Sequence, residues 1–121
     1  RVKDLYISGG ENVYPAEVEA AAARLDAVAN CAVVGVADIR WGEVGAAYVQ
    51  LREGAALTEA ELRAHVEAHL ARYKVPKYVE FVSELPHNAT GKIRRVELRR
   101  RAADEHPIEP SAAGSRPEGT S

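Results

Sequence analysis

Residues 28–38 read VANCAVVGVAD, a run β-branched and apolar enough to be a buried strand. The turn IRWGE follows, and VGAAYVQLR at 44–52 reads as a second strand. Working outward, the run from Pro15, PAEVEAAAARL, predicts a helix. Proline suits the first helical turn, and strong helix formers follow it. Val18, Ala21, Ala22 and Leu25 give that helix its inward face. Upstream, VKDLYI at 2–7 reads as a short strand and SGGENVY at 8–14 as a glycine turn. Downstream, Thr58 and Glu61 form a capping-box pattern, with Leu57 and Leu62 at the two positions of a hydrophobic staple. Leu62, Val66 and Leu70 then recur at helical spacing on one side. YKVPKY breaks this helix at Pro76. YVEFV at 78–82 returns as a strand with Val79 and Phe81 on one face, and RRVELRRRAA at 94–103 reads as a final helix. The order β-α-β-β-α-β-α implies an α+β domain, a small mixed sheet flanked by helices.

A chain of 121 residues makes one domain with one core, too small for a full catalytic apparatus with its own substrate cleft. The net charge of −2 rests on the C-terminal stretch, where Asp104, Glu105, Glu109 and Glu118 face Arg116 alone. The single cysteine, Cys31, falls in the apolar run and reads as a small core residue. A reducing cytoplasm is the expected compartment, with no signal peptide and no apolar stretch of membrane length. The chain starts at Arg1, holds no methionine and opens directly on a dense motif, so it reads as the C-terminal piece of a longer protein. Residues 1–103 form the expected domain; residues 104–121, rich in Pro, Gly, Ser, Thr and Glu without apolar periodicity, are an expected disordered tail.

The segment LPHNATGKIRR at 85–95 raises the chemical question. A phosphate-binding P-loop needs glycine five residues ahead of the Gly-Lys pair and Ser or Thr after it; Pro86 and Ile93 stand there instead. Asn88-Ala89-Thr90 matches a glycosylation acceptor, but nothing else points to secretion. A solvated turn lysine is the plain alternative. Against it, Gly91 permits positive φ, so Lys92 can project as a compact point charge suited to a carboxylate and a phosphate oxygen together. The run Arg94, Arg95, Arg99, Arg100 and Arg101 raises nucleic acid as a partner, yet no aromatic platform accompanies it. A cationic helix face near a helix C-terminus explains it more simply. In SGGEN, Gly9 and Gly10 strip side chains from a stretch of backbone, which fits close approach by a ligand or another domain. His65 and His69 have metal-compatible i,i+4 spacing but no third ligand, and read as surface histidines. Trp41, in a turn, suits either packing or recognition.

Taken together, RVKDLYISGGENVYPAEVE, PKYVEFVSELPHNATGKIRR and the intervening VVGVADIRWGEVGAAYV closely resemble segments of the adenylate-forming enzymes. That superfamily holds acyl-CoA synthetases, luciferase-like enzymes and the adenylation domains of peptide synthetases. The resemblance covers residues 1 to about 102 and is stronger toward fatty or aromatic acyl-CoA ligases, because peptide-synthetase domains carry a more basic version of the first segment. It implies a mobile C-terminal lid for an AMP-forming acid–CoA ligase, inactive by itself, whose N-terminal adenylation domain holds ATP, Mg²⁺ and the carboxylic acid. The acid attacks the α-phosphate of ATP to give an acyl-adenylate, and the thiol of coenzyme A then displaces AMP.

Residue by residue, Lys92 matches the family's adenylation lysine, bridging substrate carboxylate and nucleotide phosphate. Gly9 and Gly10 match the lining of the pantetheine channel, Asn12 and Arg1 match nucleotide contacts, and Lys3 occupies the hinge position. Some relatives carry a lysine where this chain has Ile7, so the resemblance shifts phosphate binding to Arg72, Lys74 or Lys77. The implied substrates are ATP and coenzyme A, with no cofactor held by this piece alone, no nucleic acid and no membrane span. A lysine acetyltransferase is a candidate partner, since acetylation would cancel the Lys92 charge. The alternatives are a lid that loads a carrier protein and, from another class, a basic polyanion-binding module.

Overall fold

The structure, a computed structural model, describes residues 5–108. Its elements run β1 (Tyr6–Ser8), β2 (Glu11–Val13), α1 (Pro15–Ala23), β3 (Val28–Asp38), β4 (Gly42–Leu51), α2 (Glu59–His69), a 3-10 turn (Arg72–Lys74), β5 (Tyr78–Val82) and α3 (Arg95–Glu105). β3 and β4 form the spine, an antiparallel ladder from Val28–Leu51 to Asp38–Gly42. β3 is an edge strand; the other edge of β4 carries β1, at Ser8–Gly42, and farther along the parallel strand β5, at Ala46–Gln50. The sheet is mixed, as expected.

Both faces of this sheet are covered, which is why the two spine strands read as almost unbroken apolar runs. Cys31 and Val33 of β3 and Ala47 and Val49 of β4 pack with Val18 and Ala22 of α1 and Leu62 and Val66 of α2. The alternate residues Ala32, Val34, Ala46 and Tyr48 pack with Leu85 and with Leu98 and Ala102 of α3. α2 forms where its start signal stands: Thr58 Oγ1 accepts from Glu61 N–H at 3.1 Å, and Glu61 Oε1 accepts from Thr58 N–H at 2.8 Å.

Three expectations need correction. The 8–14 stretch is not only a turn. Gly9 and Gly10, at φ 58° and 86°, close a two-residue hairpin whose second arm is β2. Positive φ at both central residues suits the right-handed twist of the flanking strands, and glycine adopts it without a Cβ clash. The helix at 94–103 extends through Glu105, beyond the boundary expected at 104. Glu105 is held there by Arg101 and by the Tyr48 hydroxyl, and the His106 ring stacks on Tyr78 with centroids 3.6 Å apart. Expectations for residues 109–121 lie outside the described residues. In β5, Val79 packs on the core beneath α1 and α2, while Phe81 on the same face is exposed.

Beyond the strand pairing, a side-chain contact joins the N-terminal strand to the spine. Gly35 and Gly45 face each other across β3 and β4, and the Tyr6 ring lies over both. A Cβ on Gly35 would sit 2.6 Å from Tyr6 Cβ, and one on Gly45 would sit 2.4 Å from the Tyr6 hydroxyl oxygen.

Candidate functional site

The lysine loop is built around Asn88. Its Oδ1 accepts from Thr90 N–H at 3.0 Å, Thr90 Oγ1–H at 2.6 Å and Lys92 N–H at 3.1 Å. Its own N–H donates to the Lys92 carbonyl at 2.8 Å, and its carbonyl accepts from Gly91 N–H at 3.0 Å. Gly91, at φ 87°, closes the turn, and His87 and Ile93 bridge its base. The sequon-like Asn88 and Thr90 are thus bonded to one another as a local knot. Lys92 is exposed, and its ammonium has no hydrogen-bond or ion-pair partner among the described residues.

Downstream, Arg95 clips this segment to the rest of the domain. Its guanidinium forks onto Glu19 of α1, with Nη1 to Oε2 at 2.5 Å and Nη2 to Oε1 at 2.9 Å. The same carboxylate accepts from Val33 N–H at 2.8 Å, and Arg95 donates to the Val33 carbonyl at 3.2 Å. These are backbone groups on the outer edge of β3, which no further strand pairs among the described residues.

The glycine hairpin stands on the opposite edge of β4. Gly9 N–H donates to the Trp41 carbonyl at 2.8 Å, and a Cβ on Gly9 would meet the Trp41 ring at 3.0 Å. Gly9 therefore makes room for the indole, whereas Gly10 faces open space. Asp38 shapes the turn that presents Trp41, its Oδ2 accepting from Arg40 N–H at 3.0 Å and Trp41 N–H at 2.9 Å. Its Oδ1 accepts from the Lys77 ammonium at 3.1 Å. Burial pushes the Asp38 carboxyl up, but the Trp41 N–H, the Lys77 ammonium and the Arg40 N–H outweigh it and hold it below its ordinary value. Beside the hairpin lies an open groove of about 510 Å³ lined by Ser8, Trp41, Arg72, Tyr73 and Lys77. Trp41 and Tyr73 are exposed there at 46% and 41%.

This arrangement can be set against known proteins. Residues 17–92 match the family described as the AMP-binding enzyme C-terminal domain. The chain belongs to that family. It is similar to a methyl-dioxo-octahydro-indenyl propanoyl:CoA ligase of Mycobacterium tuberculosis, 54% identical over 82% of this chain and 20% of the relative. It is likewise similar to the feruloyl-CoA synthase of an Amycolatopsis species, 52% identical over 84% of this chain and 21% of the relative. Among solved structures, apo MatB from Rhodopseudomonas palustris superposes with a TM-score of 0.83 at 40% identity, covering 88% of this chain and 21% of that one. The chain thus spans about a fifth of the length of the acyl-CoA ligases it matches.

Within this AMP-binding C-terminal domain, Lys92 and the Gly9–Gly10 pair fall on separate loops, and Asn12 is exposed on β2 beside the second. Arg1 and Lys3 lie outside the described residues. Of the three cations weighed for phosphate binding, Lys74 is paired with Glu17 at 2.9 Å and Lys77 with Asp38, each bond favouring the charged amine. Arg72 is the most available, its side chain 88% exposed and its contact with Glu67 a loose 3.6 Å. Within the arginine run, Arg94, Arg95 and Arg101 pair with Glu97, Glu19 and Glu80. That weakens the ground for a polyanion-binding module.

His65 is a helix tie as well as a surface residue, its Nε2 bonding the Ala21 carbonyl at 2.8 Å, while His69 Nδ1 bonds the His65 carbonyl at 2.8 Å. Among the described residues no group of three or more His, Cys, Asp or Glu could hold a metal, and no helix is long and apolar enough to cross a membrane. The sequence reading named Asn88 and Arg95 but missed what they hold, and missed Glu19 altogether. The signal for Asn88 was present, since an Asn two residues before Thr is a turn former as well as a sequon.

Proposed function

We propose that this domain is the C-terminal lid of a longer cytoplasmic AMP-forming acid–CoA ligase acting on a fatty or aromatic carboxylic acid. The observation that carries the reading is the division of its two loops. The segment bearing Lys92 is clipped to the outer edge of β3, and the glycine hairpin with its groove occupies the far edge of β4. Two such loops suit two successive approaches to one N-terminal domain. In the first, Lys92 bridges the acid carboxylate and the α-phosphate of ATP and stabilises the charge that develops between them. In the second, the lid turns about Lys3, and Gly10 leaves a bare backbone for the pantetheine arm, with Gly9 seating Trp41 beside it. Asn12 and Arg1 then contact the nucleotide. Magnesium is assigned to the N-terminal domain.

The groove supports a reading of the thiol substrate's far end. Two exposed aromatic rings and the loosely held Arg72 offer a stacking surface and N–H donors to a phosphate, which suits a phosphorylated nucleotide such as that of coenzyme A. This favours free coenzyme A over a carrier protein as acceptor.

The test is the full-length enzyme assayed in its two halves. Lys92→Ala should lower acid-dependent pyrophosphate release by about 10²–10³ and leave thioester formation from supplied acyl-adenylate intact. Arg72→Ala should do the reverse, raising KM for coenzyme A alone. Adenylation unharmed by Lys92→Ala would sink the reading. Exposure of Lys92 also makes it a candidate for an acetyltransferase; peptide mapping of native protein that always finds it unmodified would end that idea.

A further inference from the structure

A lysine that acts in one pose and must withdraw for the next gains from a long flexible stem, but only if the root of that stem is fixed. The two ends of the loop are fixed in ordinary ways: Leu85 is buried at 1% exposure, and Arg95 is forked onto Glu19. Between them stand the exposed residues 87–92, which no core contact fixes. The neighbouring Ile93 packs on the core and bridges His87, but the polar backbone groups of Lys92 itself are held by one residue. Its N–H donates to Asn88 Oδ1 at 3.1 Å, and its carbonyl accepts from Asn88 N–H at 2.8 Å, so both polar groups of Lys92's backbone rest on Asn88. The same Oδ1 takes the Thr90 N–H and hydroxyl, which keeps the asparagine from turning away.

We infer that Asn88 is a positioning residue for Lys92. It touches neither acid nor ATP; it sets the point from which the ammonium swings, and so the fraction of time the amine spends between carboxylate and phosphate. A misplacement of about 1 Å in such a group can cost about a hundredfold in rate. Because Oδ1 serves only as an acceptor, a carboxylate oxygen can take its place and a methyl cannot. Asn88 is exposed, so its loss opens no cavity and leaves the fold intact.

The inference rests on the role proposed for Lys92, and the experiment separates the two. In the full-length enzyme, Asn88→Ala, Asn88→Asp and Lys92→Ala are compared in both half-reactions and in thermal unfolding. Asn88→Ala should slow adenylation about 10- to 100-fold through kcat, with KM for ATP and acid, thioester formation and melting temperature unchanged. Asn88→Asp should recover most of that loss. Equal decline of both half-reactions, no decline, or no recovery with aspartate would each overturn the inference. If Lys92→Ala cripples adenylation while Asn88→Ala is silent, only the role of Asn88 falls. If Lys92→Ala is itself silent, the proposed function falls first.

Discussion

Tyr6 occupies a place defined by what two other residues lack. Its ring covers the Gly35–Gly45 pair, and its hydroxyl is buried without a hydrogen-bond partner among the described residues. Burial, and the Glu43 carboxylate after it, push the phenol above its ordinary range, so it stays neutral. A buried hydroxyl that finds no partner costs about 1–3 kcal/mol of desolvation. Tyr6→Phe should therefore be neutral or raise stability by about 1 kcal/mol in urea titration, despite removing a polar group. Gly45→Ala should cost about 1–3 kcal/mol by overpacking, and Tyr6→Phe should recover part of it. A tyrosine more stabilising than phenylalanine here would show that the hydroxyl is not orphaned. Cys31 is another buried polar group: burial first, then Glu19, pushes its thiol up to about 12 against the pull of Arg95, leaving it an inert packing residue.

The turn between β3 and β4 shows how one element prepares a surface. Asp38, its side chain 7% exposed, satisfies two N–H groups of the turn and the Lys77 ammonium, and so fixes where Trp41 stands. Because its folded value is lowered, it adds stability that is complete above its ordinary value of 3.8 and is lost as pH falls through the folded value. Asp38→Asn should lower stability by about 2 kcal/mol at neutral pH. The gap between the two proteins should hold down to pH 3.8 and close only below it. A gap that closes at higher pH would mean the carboxylate is not held low. Elements of this kind divide what a sequence discloses. The spine strands and the capped helix α2 were legible because residues within a few positions of each other determine them. β2 was not, because its three residues, two of them exposed, alternate too briefly to register beside a glycine turn. The exposed place of Lys92 after Gly91 was legible in the sequence, whereas its hold on Asn88 exists only once the turn closes.

At the scale of the molecule, the Glu19–Arg95 fork spans 76 residues and ties α1, β3 and α3 at one point, which no local pattern announces. Both side chains are largely withdrawn from water, at 15% and 28% exposure. Arg95→Met should cost about 3 kcal/mol, mostly from the stranded Glu19 charge, and adding Glu19→Gln should return part of it while sparing an acceptor for Val33. If the double variant is no better than the single, the cost lies in packing rather than charge. The fork also keeps the lysine segment on one border of the sheet while the hairpin and groove hold the other. That separation has an evolutionary meaning. Under the proposed division of labour, changes that retune which thiol is accepted can accumulate around residues 8–12, 41 and 72–77 without disturbing the lysine turn. On that reading a lineage could trade one acceptor for another and keep the lysine turn unaltered, and laboratory selection for a new thiol should gather its substitutions on the hairpin side alone.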